Sequence, residues 1–380
     1  KKYLYIYNNG AGNSATIDNV SVKEVISATN TPRLDYSTGT EAFLLEPQST
    51  NLIPYSEDFS NASWAKDNTS VQSNAAISPN GTLNADKITP TASGVSFYDV
   101  ILLELIGGLT SSVKTNSFFV KSNGQRFVYL VPANGNNDAV YFDLENGIVG
   151  TEIAASKGKI KSYGNGWYRI SIFNPATPNY FYAGIGFCDA DNSPVYTQTS
   201  NSIFAWAAQI EDKSYATSYI PTSGAIATRN QETCADATPV INSTEGTLYA
   251  NIAALANDGT FRYITLFGDT NNHVQIYYKD DANKVAALVR SNGNVSFIFT
   301  YTLTDATDFI KVAISYKVND FKMYVNGVKV AADTTGNTPI GLSELDFNYN
   351  GGNNFFGNTK DLKYYPEALA DVQLEDLTKI

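Results

Sequence analysis

Residues 309–332, FIKVAISYKVNDFKMYVNGVKVAA, restrict the fold more tightly than any other part of the chain. Ile310, Val312, Ile314 and Tyr316 alternate with Lys311, Ala313, Ser315 and Lys317, the two-residue period of a strand with one buried face. After the break at Asn319-Asp320, Phe321, Met323 and Val325 alternate with Lys322, Tyr324 and Asn326. Asn326-Gly327 is a strong hairpin signal, because both central positions of a type I′ turn need φ > 0. Val328 and Val330 are expected to resume on the buried face, which makes the segment a three-stranded antiparallel meander.

The same grammar recurs along the chain. SFFVKS, FVYLVP, AVYFDL, WYRISIF and YFYAGIGF read as short strands between polar turns. Helical spacing is hinted only near the end, at Ala368, Leu369, Val372 and Leu374. The fold class is therefore all-β, in tandem antiparallel β-sandwich (jelly-roll) domains. Composition agrees: charged residues are 17% while tyrosines number 25, giving a surface of amides, hydroxyls and aromatics. With 26 basic against 37 acidic side chains and no basic run, nucleic acid and anionic membrane are poor partners. The longest apolar run, residues 100–106, carries Glu104 and is far short of the roughly 20 residues that span a bilayer, so it reads as a buried or partner-covered strand. Cys188 and Cys234 lack metal or redox spacing and are expected to be free, consistent with a reducing compartment.

Three stretches resemble known families. The run KVAISYKVNDFKMYVNGVKV, with Asn358–Tyr365 and Ala368–Asp371 after it, resembles the core strands and closing tail of laminin-G-like, concanavalin-type jelly rolls over about residues 242–380. That fold serves lectins, glycosidases, lyases and adhesion modules alike, so the resemblance implies fold and not function. The segment TPRLDYSTGTEAFLLEPQSTNLIPYSEDFS resembles a connector of tailed-bacteriophage structural proteins, with Ser49 where that pattern usually has Arg. Behind it, Ser63-Trp64, the turn at 78–82 with Ala85-Asp86-Lys87-Ile88, GNGWYRI at 164–170, and AWAAQIE with ATSYIPT at 205–222 resemble a carbohydrate-binding-module-like sandwich.

The expected organisation is the end of a truncated β-sandwich at 1–27, a linker at 28–52, the carbohydrate-binding-module-like sandwich at 53–222, a linker at 223–239 and the jelly roll at 240–380. The chain starts inside a strand pattern, YLYIY, so the beginning of the first module is expected upstream. A weak internal repeat relates its tail at 13–24 to residues 201–211, each followed by a Thr/Ser/Pro-rich link.

His273 is the only histidine, which removes histidine metal triads and Ser-His-Asp groupings within one chain; its place beside a turn reads as a solvated loop. Ser343-Glu344-Leu345-Asp346-Phe347-Asn348 imitates the E-x-D-x-E strand of jelly-roll glycoside hydrolases, but Asn348 cannot supply the proton of a general acid. Asp189-Ala190-Asp191-Asn192 lacks the Gly and the twelfth-position Glu of an EF-hand and reads as a turn. No cofactor is implied, although sandwich modules leave room for a structural calcium held by scattered oxygens.

Sugar binding needs aromatic faces for pyranose C–H groups and planar amides or carboxylates for hydroxyls. In HVQIYYKD, Val274, Ile276 and Tyr278 share one face and leave Gln275 and Tyr277 on the other. Trp64, Tyr98, Arg290 and Tyr349 lie near Asn/Gly/Ser-rich loops. The candidate carbohydrate-binding residues are Trp64, Tyr98, Tyr277, Arg290 and Tyr349, each of which could instead line a sandwich or subunit interface; Trp167 and Trp206 read as core. The phage-type resemblance implies a non-enzymatic virion adhesin, a fibre, spike or head-decoration subunit assembled in the host cytoplasm. It would act as a homotrimer with other virion proteins and host-surface glycan as partners. A polysaccharide-degrading enzyme and a ligand-free architectural protein are the alternatives.

Overall fold

The computed structural model describes residues 32–380 except 37–39, 94, 97–100, 108–113, 132–137, 155, 176–179, 194, 198–199 and 235–236. The truncated module at 1–27, the first copy of the repeat, and Tyr98 lie outside the described residues. The rest is all-β and antiparallel, with one short helix, Asp371–Thr378. No helix among the described residues is long and apolar enough to cross a membrane.

The expected meander is present as the strands Ile310–Lys317, Asp320–Val325 and Val328–Asp333. Asn326 and Gly327 have φ of +50° and +81°, as the tight turn requires. The exception is Val328, which is 60% exposed. The register slips between Met323 and Tyr324, and the last strand ends the sheet, so its side chains no longer follow the parity of the first two. These strands belong to a seven-stranded sheet packed on a five-stranded one, Asn294–Thr302, Lys284–Ser291, Asn272–Tyr278, Arg262–Asp269 and Glu344–Asp346 in spatial order. Val274, Ile276 and Tyr278 enter the shared core with Ile314, Tyr316 and Met323.

The segment read as a linker is not a bare tether. Arg33–Asp35 and Ala42–Leu45 are the first two strands of the seven-stranded sheet, Phe43 pairing with Thr359 and Leu45 with Gly357. Ser49–Asn51 pairs with Ala227–Arg229 from the other expected linker. The chain thus crosses the C-terminal sandwich before building the preceding one.

In the earlier sandwich two six-stranded sheets enclose a second core that includes Phe118, Val120, Leu130, Phe142, Ile170 and Ile185. Gly186 permits one close approach: a Cβ there would lie 2.0 Å from the Tyr129 ring. The apolar run became the strand Ile101–Gly107, with Leu102 fully buried. Cys188 and Cys234 are free.

Buried polar side chains fasten the two sandwiches together. Glu46 is 4% exposed; its Oε2 meets the guanidinium groups of Arg33 and Arg229, and its Oε1 accepts the Ser218 N–H at 2.9 Å. Glu232 accepts from Arg33 and, at 2.7 Å, from the Glu46 backbone. Asn51 donates to the Ala208 and Ile220 carbonyls at 3.1 and 2.9 Å. Ser49 donates to Glu211, which also accepts from Gln209 and Thr217. The connector and the ATSYIPT motif therefore meet each other, and their polar side chains form a buried seam of hydrogen bonds and ion pairs in which the buried Arg229 Nε has neither.

Candidate functional site

The five-stranded sheet has one face in the core, so every second residue faces away from it. Register aligns these residues in rows. Glu344, Phe267, His273 and Arg290 form one row; Asp346, Thr265, Gln275 and Leu288 the next; Tyr263, Tyr277 and Ala286 the third. Tyr263 and Tyr277 stack with ring centroids 4.7 Å apart and planes 17° from parallel. Phe261 stacks on Tyr263 at 5.7 Å.

Tyr349 arrives from the loop after Glu344–Asp346. Asn350 and Gly351 adopt φ of +49° and +73°, and Tyr349 and Gly352 exchange backbone hydrogen bonds of 2.9 and 3.0 Å. This tight turn sets the Tyr349 ring 5.6 Å from Tyr263 and 5.0 Å from His273. Asn348 caps the turn, its Oδ1 accepting the Gly351 N–H at 2.9 Å. The third position of the glycosidase-like motif is thus occupied by a turn cap, and the strand stops at Asp346.

The arrangement is graded in depth. Tyr277, His273, Gln275 and Thr265 are buried, while Phe261, Tyr263, Tyr349 and Arg290 are half-buried at its surface. Burial lowers the His273 pKa, so the imidazole is neutral at pH 7; its Nδ1 lies 3.2 Å from the Asp269 carbonyl. Burial, with Tyr277 and Tyr349 adding to it, raises Tyr263 to about 12, so the phenol stays protonated. The result is an uncharged tyrosine platform with Arg290 two rows away, in the row of His273, one of its N–H groups given to the Gly293 carbonyl at 2.7 Å. Such a surface can stack on the apolar face of a sugar and hydrogen-bond its hydroxyls.

Of the five candidates, Tyr277, Arg290 and Tyr349 come together here. Trp64 does not: it is 1% exposed in the core of the earlier sandwich, edge-on to Phe59 at 5.0 Å, with its indole N–H donated to the Tyr55 carbonyl at 3.0 Å. A tryptophan beside polar loop residues was pulled inward by Phe59 and Phe118. His273 is likewise not a solvated loop residue; it sits 2% exposed at the start of a strand, covered by Tyr349. Tyr263 was missed, although its parity with Phe261 and its position two residues from Thr265 were available signals. Trp167 and Trp206 are buried as expected, but in a satellite cluster with Phe119 rather than the main core.

Asp189 and Asp191 lie in a turn, and Asp191 ties it to the strand Ile148–Glu152. Their carboxylates accept from Thr197 and from Thr151, at 2.6 and 2.8 Å to the hydroxyls. Among the described residues no group of three or more His, Cys, Asp and Glu side chains is placed to hold a metal.

No family model and no curated protein matches this chain. Solved structures similar to part of it include a sialidase CBM40 of Ruminococcus gnavus bound to alpha2,3 sialyllactose, 16% identical over 36% of this chain and 83% of that one, TM-score 0.31. A heptameric SAP-like pentraxin of Limulus polyphemus is 13% identical over 37% and 72%, TM-score 0.31. Galectin LEC-6 of Caenorhabditis elegans is 10% identical over 34% and 88%, TM-score 0.27. Overlap at this level carries no argument about what the present chain binds.

Proposed function

We propose that the chain is a non-enzymatic carbohydrate-binding virion protein, an adhesin of tailed-phage type. The observation that carries the binding half of this reading is the neutral tyrosine platform: Tyr263 stacked on Tyr277, overhung by Tyr349, with Gln275 in the next row and Arg290 in the one beyond it. Aromatic surface with amide and guanidinium neighbours is what a saccharide requires, and the acidic chain offers nothing comparable to a polyanion. The virion half rests on the sequence resemblance of residues 44–222 to phage structural proteins.

In this reading host-surface glycan is the partner, and assembly into a homotrimer with other virion proteins presents several platforms at once. Multivalency then converts weak single-site affinity into firm attachment. A glycan array probed with the purified protein tests the binding half: binding to host-envelope saccharides is expected, and uniform silence contradicts it. Mass measurement of the native protein tests the trimer, and a monomer at array concentration contradicts it.

A further inference from the structure

Unspent chemistry also lies where the two sandwiches meet, away from the tyrosine platform. A groove of about 370 Å³ opens there, within the range of small-ligand clefts of about 300–1,000 Å³. Lys161, Tyr163 and Arg169 line it from Lys157–Gly164 and Trp167–Asn174 of the earlier sandwich. Phe309 and Asn358 line it from the C-terminal sandwich, and Asp35 from the connector.

Two of these side chains are incompletely satisfied. Arg169, 8% exposed, donates to the Thr217 carbonyl at 2.6 Å and the Ser117 hydroxyl at 2.9 Å, yet its buried Nε–H has no acceptor. Asn358 shows the converse, a buried Oδ1 with no donor. Unmade bonds of this kind are costly and uncommon in a finished interface. Lys161 approaches Asp35 only to 4.0 Å, and burial, with Arg169 also nearby, holds its pKa below the ordinary lysine value. An aromatic face is at hand: Tyr163 is 43% exposed, while the half-buried Phe309 ring carries the Lys360 ammonium 4.1 Å from its centroid.

A donor without an acceptor and, separately, an acceptor without a donor are both groups that ligand hydroxyls can satisfy, since a hydroxyl donates and accepts. Lys161 and Arg169 are matched by Asp35 and Asp308 along the groove, and Glu46 is held by Arg33 and Arg229. The charge balance therefore favours a neutral ligand over an anion. We propose that this inter-module groove is a second saccharide site, taking a neutral, hydroxyl-rich mono- or disaccharide. Because its walls belong to different sandwiches, occupancy stabilises their docking by mass action.

The test uses the whole chain and five probes: glucose, galactose, N-acetylglucosamine, lactose and maltose. Saturation-transfer NMR and calorimetric titration are run on the unsubstituted protein, on Tyr163→Ser and Lys161→Gln in the groove, and on Tyr349→Ser on the platform. Thermal unfolding confirms that each variant folds, and both groove positions are exposed enough to tolerate change. The proposal expects at least one probe whose affinity drops about tenfold in both groove variants and is unchanged in Tyr349→Ser. Binding lost in Tyr349→Ser and untouched in the groove variants overturns the groove and leaves the platform standing. Absence of binding by all five probes also overturns the groove site, whereas the platform is judged on host-envelope glycans.

Discussion

Glu104→Gln is expected to stabilise the protein at pH 8 and to leave it nearly unchanged at pH 5. Glu104 lies in the strand Ile101–Gly107, two residues from the fully buried Leu102, and is 4% exposed. Its Oε2 has no hydrogen-bond partner. Burial pushes its pKa from the ordinary 4.5 to about 7, against which a hydrogen bond from Ser63 works only in part. Between those two values the folded protein holds a proton that the unfolded chain has released. The contribution to stability is thus complete below about pH 4.5, falls as pH rises, and is lost above about pH 7. A rise of that size corresponds to roughly 3 kcal/mol. Glutamine keeps the volume without the ionisation, so at pH 8 the variant recovers most of that amount. Urea unfolding followed by tryptophan fluorescence reads it, since Trp64, Trp167 and Trp206 all lie in this sandwich. With a slope of about 2–3 kcal/mol/M the midpoint at pH 8 moves up by roughly 1 M. Equal midpoint differences at pH 5 and pH 8 would refute the reasoning.

Glu46→Ala strips Arg229 of its carboxylate and leaves Arg33 only Glu232, and is expected to cost about 3–5 kcal/mol; scanning calorimetry should then separate the unfolding of the two sandwiches, and one unbroken transition would contradict the seam. Trp64→Ala empties a core site beside Phe59 and Phe118 and should cost about 3–5 kcal/mol, while leaving glycan affinity of the folded protein intact; a loss of affinity without a loss of stability would return Trp64 to the binding residues. Because burial holds the His273 pKa below 6.5, the unfolded chain protonates first as pH falls, so stability present above pH 6.5 is lost as pH drops through the lower folded value. His273→Gln should flatten that slope in acid unfolding curves, and an unaltered slope would refute the assignment.

What could be read without coordinates was what depends on local period. The strand parity of residues 272–278 correctly separated Val274, Ile276 and Tyr278 from Gln275 and Tyr277, and Asn326-Gly327 located its hairpin. Long-range partners were not legible. Trp64 is buried by Phe118, and His273 is covered by Tyr349, neither of which is near it in sequence. The connector motif was the most recognisable stretch, yet its role depends on Glu232 and Thr217, which meet Glu46, Arg33 and Glu211 only in the fold. A Pro- and Thr-rich composition looks like a tether, whereas Phe43 and Leu45 are strand residues of the C-terminal sheet. The platform was half legible: Tyr277, Arg290 and Tyr349 were identified individually, but only the register that pairs His273 with Arg290 and Tyr263 with Tyr277 makes them one surface.

The central claim is that saccharide stacks on the Tyr263–Tyr277–Tyr349 surface. Isothermal titration of the best array glycan into the intact chain and into Tyr349→Ser decides it most directly. Removing one stacking face worth about 0.5–1.5 kcal/mol predicts a Kd weaker by about twofold to tenfold in a variant that thermal unfolding shows to be folded at the titration temperature. An affinity identical in the two proteins would contradict it.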